Sequence, residues 1–109
     1  MPPELEAVLI SHPAIIDAAV IGVRRRNSDG EEEELPRAYV VRRPGTEVTE
    51  KEVFEYARLR LASYKRLDGG VVFAEEIPRN ASGKILKATL RGWAAKEGVA
   101  STAYVGAKL

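Results

Sequence analysis

A short turn-forming segment near the end of the sequence carries the residues best suited to bind an anion. In Ser82-Gly83-Lys84, the glycine lets backbone N–H groups approach an oxyanion and the lysine ammonium supplies positive charge. A nucleotide-binding P-loop would need a second glycine and a Ser or Thr where this sequence has Pro78 and Ile85, so that motif is excluded. On the tripeptide alone, an exposed turn with a solvated lysine is the simpler interpretation.

Two other residues could be given chemical roles, but local structure explains each of them. His12 precedes Pro13, and a residue before proline avoids helical geometry, so we interpret it as a helix end rather than a catalytic base. Trp93 has helical spacing with Leu86 and Leu90, which favours a place in the core over a platform that stacks on adenine.

The composition of the 109-residue sequence bounds the classes of protein to which it can belong. A chain of this length supports one compact domain around a single core. Its net charge of +1 indicates neither nucleic acid nor an anionic membrane as the main partner. With no cysteine and one histidine, disulfides, thiolate metal sites and multi-histidine metal centres are excluded, so a metal would arrive with a nucleotide. No membrane span or secretory signal is present, and we expect an intracellular protein.

The first half of the sequence predicts a helix and two strands joined by a charged excursion. Residues 2–9 have the apolar spacing of a short amphipathic helix, which ends at His12-Pro13. The Ile-, Val- and Ala-rich run 15–23 predicts a strand buried on both faces, and the run 35–42 predicts a second strand. Between them we expect a polar loop with a hairpin excursion, because blocks of opposite charge flank a turn. These blocks are Arg24-Arg25-Arg26 and Glu31 to Glu34.

The second half predicts a capped helix, a short strand and a final helix. Thr49, with Glu52 three residues later, forms a capping-box pattern before a helix of about three turns. Glycines break the chain before a strand over residues 71–74, and the last helix should run from near Lys87 to Lys96. We therefore predict an α+β fold, with a small mixed β-sheet, a β-hairpin excursion and about three flanking helices.

Several segments spread over the sequence form an ordered series of motifs that includes Lys84. They are Pro3-Glu4-Leu5-Glu6-Ala7-Val8-Leu9, His12-Pro13, Asp17 to Val23, Leu35 to Val41, Tyr64-Lys65-Arg66, Gly69 to Phe73, Glu76 to Arg79, and Ser82 to Lys87. Together they resemble the C-terminal domain of the adenylate-forming enzymes, the superfamily of acyl-CoA synthetases, coumarate-CoA ligases and firefly luciferase. The resemblance covers nearly all of residues 2–97. Several separated matches in order are much more specific than any single motif.

The resemblance implies a lid domain over residues 2–97, followed by a tail over residues 98–109. Enzymes of this kind join a carboxylic acid to the α-phosphate of ATP in the presence of Mg²⁺, and then pass the acyl group to coenzyme A. A larger N-terminal domain, absent here, binds most of these substrates, so the isolated chain is expected to be inactive. The resemblance makes Lys84 the catalytic residue of adenylation, with Ser82 and Gly83 in the nucleotide loop, before the domain rotates for thioester formation.

The resemblance also indicates candidate contacts to coenzyme A. Arg37, Tyr64 and Lys65 occupy positions where related synthetases meet its nucleotide end, although each also fits an ordinary strand-end or helix-end residue. The sequence departs from the family's pattern in two places. Arg24-Arg25-Arg26 stands where family members often have Pro-Asp, and the family's hinge and thioester-step loop precede the segment that matches Pro3. We therefore expect an excised domain.

The last three residues of the sequence resemble a targeting signal. Ala107-Lys108-Leu109 resembles the C-terminal tripeptide read by the peroxisomal import receptor, of which Ser-Lys-Leu is the best-known form. We expect it to be the natural C-terminus and the protein to be peroxisomal, with the cytoplasm as the alternative.

Two other functions stay open on the sequence alone. The chain could be an adenylation-domain fragment of a peptide synthetase, in which a carrier-protein domain would normally follow, or a non-catalytic binding module that retains the fold. Because the acid pocket belongs to the absent domain, fatty, aromatic and luciferin-like acids are all open as substrates.

Overall fold

The computed structural model describes residues 2–61 and 66–97 of the chain. Within these residues it contains three helices and a three-stranded mixed sheet, which confirms the predicted α+β fold. The elements in chain order are α1 (Pro2–Ile10), β1 (Ile15–Arg26), β2 (Glu32–Arg42), α2 (Glu50–Arg60), β3 (Val71–Phe73) and α3 (Lys87–Glu97). None of the described helices is long and apolar enough to cross a membrane.

The strands lie in the order β1-β2-β3, with β2 in the centre. β1 and β2 are antiparallel and joined by a hairpin, whereas β2 and β3 are parallel. A parallel pair needs a crossover connection, and the segment that contains α2 provides it. β1 is therefore an edge strand of the described sheet.

The sheet is the middle layer of three, because its two faces bury separate groups of apolar side chains. One face packs Ala18 and Val20 of β1 against α1 and α2, which contribute Leu9 and Phe54 among others. The other face packs the intervening residues of the strands, with Leu90 of α3 beneath them. Successive strand residues point to opposite faces, so a strand covered on both sides reads as a continuous apolar run. The prediction of a strand buried on both faces is confirmed.

The charged excursion is a strand hairpin, and the predicted polar loop over its arms was wrong. β1 continues to Arg26 and β2 begins at Glu32, so the two charge blocks face each other across the ladder. Arg25 forms an ion pair with Glu33 at 3.8 Å, and opposite charges on neighbouring strands favour strand pairing. Only the tip turns, where Asn27 Oδ1 accepts hydrogen bonds from the N–H groups of Asp29 and Glu31.

The helix boundaries agree with the sequence patterns. Thr49 Oγ1 accepts from the N–H of Glu52 at 3.2 Å, and Glu52 Oε1 accepts from the N–H of Thr49 at 2.8 Å, which confirms the capping box. After α1 ends, His12 Nδ1 accepts from the N–H of Ala14 at 2.9 Å, and its ring meets the Tyr56 ring edge-on. These contacts support the interpretation of His12 as a helix-end residue.

Candidate functional site

Lys84 lies in a tight loop between β3 and α3, here called the Lys84 loop (residues 78–86). The loop is a miniature hairpin closed by backbone hydrogen bonds. The N–H of Leu86 donates to the carbonyl of Pro78, and the N–H of Asn80 donates to the carbonyl of Lys84, both at 2.9 Å. The N–H of Gly83 turns back to the carbonyl of Asn80 at 2.9 Å. Such closure gives the segment a defined shape although it lies outside the sheet.

The Asn80 side chain organises the inside of this loop. Its Oδ1 accepts three hydrogen bonds, from the N–H of Ser82 at 3.0 Å, the Ser82 hydroxyl at 2.8 Å and the N–H of Lys84 at 2.9 Å. Gly83 has a φ of +90°, a conformation that side chains with a Cβ rarely adopt. Asn80 was not among the site residues predicted from the sequence, although asparagine in a turn that contains glycine is a recognised signal for such bonding.

Arg79 connects the Lys84 loop to the sheet. One guanidinium nitrogen donates to the carbonyl of Gly83 at 2.8 Å, and the other donates to Asp17 Oδ1 in β1 at 2.7 Å. The same carboxylate oxygen accepts from the N–H of Ala18 at 2.9 Å. No local pattern indicated this contact, because Asp17 and Arg79 are 62 residues apart.

A second connection lies just after the loop, at the start of α3. Lys87 Nζ donates to the carbonyl of Val20 at 2.7 Å and lies 3.2 Å from Glu6 Oε2. Glu6 Oε2 in turn accepts from the N–H of Val20 at 2.8 Å. Both peptide groups of Val20, on the edge strand, are thus bound by side chains from α1 and α3. This arrangement protects the edge and anchors α3 to β1.

The Lys84 side chain itself is exposed, and no residue in the described ranges forms a hydrogen bond or ion pair with its ammonium. Its backbone is fixed at both polar atoms, whereas its charge stays available. The loop can therefore present a cation to an anionic group brought by another body, such as a phosphate or a carboxylate. Across residues 2–61 and 66–97, there is no group of three or more His, Cys, Asp or Glu side chains that could hold a metal ion.

Arg37, a candidate contact to coenzyme A, is completely buried in the middle of β2, so its interpretation as a strand-end residue was wrong. Its guanidinium lies 3.5 Å from Glu97 Oε1 of α3, and the Tyr39 hydroxyl donates to the same oxygen at 3.0 Å. Burial raises the pKa of the Tyr39 hydroxyl; the Arg37 charge opposes that rise and the Glu97 hydrogen bond adds to it. A contact between Arg37 and coenzyme A stays a prediction.

The remaining predicted site residues divide into two groups. Trp93 packs edge-on against Tyr39 with ring centroids 5.6 Å apart, in agreement with a place beside the core. Tyr64 and Lys65, and the terminal tripeptide Ala107-Lys108-Leu109, lie outside the described residues. Ser82 and Gly83 stand beside Lys84 in the loop, as expected from their adjacency, and both are exposed.

Comparisons with known proteins agree with this geometry. The family model described as the AMP-binding enzyme C-terminal domain matches residues 4–84. An acyl-CoA synthetase of Alternaria alternata is 54% identical over 98 residues, or 88% of this chain. A phenylacetyl-CoA ligase of Aspergillus niger is 58% identical over 89 residues, or 82% of this chain. The chain spans 16% of the length of each of these relatives.

The solved structure of a Mycobacterium tuberculosis fatty acyl CoA synthetase shares the same architecture. It superposes with a TM-score of 0.75 at 42% sequence identity, and the match covers 87% of this chain and 18% of that one. The likeness therefore extends over both sequence and fold for most of this chain, but over less than a fifth of the larger protein.

Proposed function

Because the chain belongs to the AMP-binding enzyme C-terminal domain family, we propose that it is the mobile lid of an ATP-dependent, AMP-forming acid–thiol ligase. In this proposal the lid delivers Lys84 to an active site that a larger N-terminal domain builds. One observation carries it above the others. The family match extends from residue 4 to Lys84, whose backbone is fixed by Asn80 while its ammonium is exposed to solvent.

The first reaction joins the acid to the nucleotide. A carboxylate oxygen attacks the α-phosphorus of ATP, the bond to the β-phosphate oxygen breaks, and pyrophosphate leaves with the bonding electrons. Negative charge gathers on the α-phosphoryl oxygens and the attacking carboxylate. The Lys84 ammonium stabilises that charge and holds the two reactants in line. Mg²⁺ is usually bound by substrate phosphates and one or two carboxylates, and we assign the ion to ATP and the larger domain.

The second reaction uses a different arrangement of the two domains. The thiol of coenzyme A attacks the acyl carbonyl of the adenylate, and AMP leaves. We propose that the lid rotates between the steps and withdraws Lys84. The ammonium acts on the α-phosphoryl group only while the Lys84 loop lies in the cleft, so it has no part in the second step. Arg37, Tyr64 and Lys65 stay the proposed contacts to coenzyme A.

The test is to measure the two reactions separately in the full-length enzyme. Lys84→Ala should slow pyrophosphate release by about a hundredfold or more, since loss of a positioned charge costs about 3 kcal/mol in the transition state. The same variant should consume supplied acyl-adenylate and coenzyme A at the wild-type rate. Lys51→Ala, which removes an exposed lysine of α2, is the matched control. Equal losses in both reactions would overturn the rotation, and no loss in either would overturn the catalytic role.

Two further variants separate charge from geometry at the same position. Lys84→Arg should restore adenylation only in part, because a planar guanidinium is bulkier and places its donors differently. Acetylation of Lys84 should act like the alanine change, because it removes the charge. The 109-residue chain by itself should produce no acyl-CoA, and robust production would contradict the lid assignment.

The alternatives differ in what they predict for a partner domain. A non-catalytic binding module would not restore activity to a matching N-terminal domain, whereas the lid should do so in a manner that depends on Lys84. The named relatives are acyl-CoA synthetases and ligases, which favours an acid–thiol ligase over a peptide-synthetase fragment. One of them is named a phenylacetyl-CoA ligase, and we assign no particular acid to this chain.

We also propose that Ala107-Lys108-Leu109 directs the enzyme to peroxisomes when it stands at the C-terminus. The support is the match of the tripeptide to the pattern read by the import receptor. The corresponding partner is that receptor.

A further inference from the structure

The peptide group that joins Gly83 to Lys84 is held by side chains at both of its polar atoms. Its carbonyl oxygen, on Gly83, accepts from the Arg79 guanidinium at 2.8 Å. Its N–H, on Lys84, donates to Asn80 Oδ1 at 2.9 Å. Rotation of this peptide plane would break both bonds together. The direction in which the Lys84 side chain leaves the backbone therefore depends on the position of Arg79.

Arg79 is fixed relative to the sheet as well as to the loop, because its second guanidinium nitrogen is bound to a residue of the sheet. That nitrogen donates to Asp17 Oδ1 at 2.7 Å, and Asp17 belongs to the paired part of β1. Hydrogen bonds between a guanidinium and a carboxylate are short and strong, and the planar fork can serve two acceptors in fixed directions. A continuous path thus runs from the sheet through Asp17 and Arg79 to the peptide before Lys84.

The exposure of this pair indicates what it contributes. The side chains of Arg79 and Asp17 are 38% and 26% exposed, and ion pairs at such exposure add little to the global stability of a fold. The start of α3 is separately anchored to β1 through Lys87. The loop is therefore attached to the sheet on both sides of Lys84, and only the attachment through Arg79 reaches the adjacent peptide.

We propose that Arg79 and Asp17 are positioning residues for adenylation, which orient Lys84 toward the α-phosphoryl group without touching a substrate. This inference rests on the proposed function and deepens it. Loss of Arg79 removes the restraint on the Gly83 carbonyl, and loss of Asp17 separates that restraint from the sheet; in both cases the Lys84 ammonium is kept but is less firmly oriented. A displacement of about 1 Å at a reacting centre can cost about a hundredfold in rate. We expect a fall of about ten- to a hundredfold in the turnover of adenylation, with a smaller change in the KM for ATP.

The experiment compares three variants of the full-length enzyme in the two partial reactions. Arg79→Gln and Asp17→Ala should each slow pyrophosphate release, while consumption of supplied acyl-adenylate with coenzyme A and the unfolding temperature stay near wild type. The matched control is Arg58→Gln in α2. Arg58 pairs with Glu55 at the same 2.7 Å and with similar exposure, 43% and 38%, but lies on another element. It should leave both reactions unchanged.

Asp17→Ala separates positioning from direct action, because it keeps the charge of Arg79. If Arg79 bound the nucleotide itself, Arg79→Gln would slow adenylation and Asp17→Ala would not; that result would overturn the proposal. Arg79→Lys adds a second check. Lysine keeps the charge without the two-acceptor fork, so full rescue by lysine would also overturn it.

A measurement on the 109-residue chain tests the geometry without catalysis. Backbone order parameters from nuclear magnetic resonance should fall at Gly83 and Lys84 in Arg79→Gln and in Asp17→Ala, but not in Arg58→Gln. Unchanged order at both amides would contradict the proposed restraint. Lys84→Ala distinguishes failure of the positioning role from failure of the proposed function. If it slows adenylation while the Arg79 and Asp17 variants do not, only the positioning role fails; if it has no effect, the proposed function fails.

Discussion

Asn80 and Lys84 are joined by two hydrogen bonds that run in opposite directions. The N–H of Asn80 donates to the carbonyl of Lys84 at 2.9 Å, and the N–H of Lys84 donates to Asn80 Oδ1 at 2.9 Å. The backbone of Lys84 is therefore held at both polar atoms, whereas its ammonium stays exposed. A cation carried on a backbone that is fixed in this way meets an anionic group with much of its orientation already set by folding.

Asn80→Ala should loosen the Lys84 loop, because it removes the acceptor of three hydrogen bonds. We expect adenylation to slow by about tenfold or more, and thioester formation to be unaffected. Measured pyrophosphate release gives the first rate, and consumption of supplied acyl-adenylate gives the second. Asn27→Ala is the matched control, because Asn27 Oδ1 plays the same part at the distant hairpin tip. Similar losses in the two variants would count against a specific role for Asn80.

Lys87→Met should destabilise the domain, because it leaves the Val20 carbonyl and the Glu6 carboxylate without their shared cation. The expected loss in the free energy of unfolding is about 1–3 kcal/mol, as for a group that loses a charged hydrogen-bond partner. Urea denaturation measures it. Lys96→Met, on an exposed position of the same helix, should change stability by no more than about 0.5 kcal/mol. If the two variants were equally stable, the contact with β1 would be of no energetic consequence.

Tyr39 should make the stability of the domain depend on pH in the alkaline range. Burial raises the pKa of its hydroxyl in the folded state, whereas an unfolded tyrosine titrates at about 10. The folded state then holds the proton more tightly, so this stabilisation is complete below about pH 10 and is lost as the pH rises above it. Denaturation at a series of alkaline pH values should show a shallower loss for Tyr39→Phe than for wild type.

At neutral pH the same variant reports on the hydrogen bond from Tyr39 to Glu97. Tyr39→Phe keeps the ring that packs against Trp93 and removes only the donor, so we expect a cost of about 1 kcal/mol. In the alkaline series, parallel slopes of the free energy of unfolding against pH for wild type and Tyr39→Phe would contradict the pH prediction. They would show that the hydroxyl does not titrate differently in the folded and unfolded states.

The tail should direct import by itself. A fluorescent protein that ends in residues 98–109 should become punctate and coincide with a peroxisomal marker, and deletion of Leu109 should make it diffuse. The deletion serves as the control because it leaves the rest of the tail unchanged. A diffuse signal from the intact fusion would contradict the targeting role of Ala107-Lys108-Leu109.

Local patterns in the sequence predicted most of the secondary structure. The capping box at Thr49 was evident because both of its bonds join residues three apart. The apolar run from Ile15 indicated burial on both faces because alternate residues of a strand face opposite sides. The arms of the hairpin were misassigned because charge blocks are typical of loops, and only the register of Arg25 against Glu33 turns them into paired strands.

The sequence by itself determined the family and the α+β class, and it predicted the role of Lys84, since these depend on ordered motifs and short-range periodicity. Tertiary structure alone decided how Lys84 is held. Arg79 meets Asp17 across 62 residues and Lys87 meets Glu6 across 81. Contacts of this kind depend on strand order and on the packing of layers, which no local spacing of residues encodes.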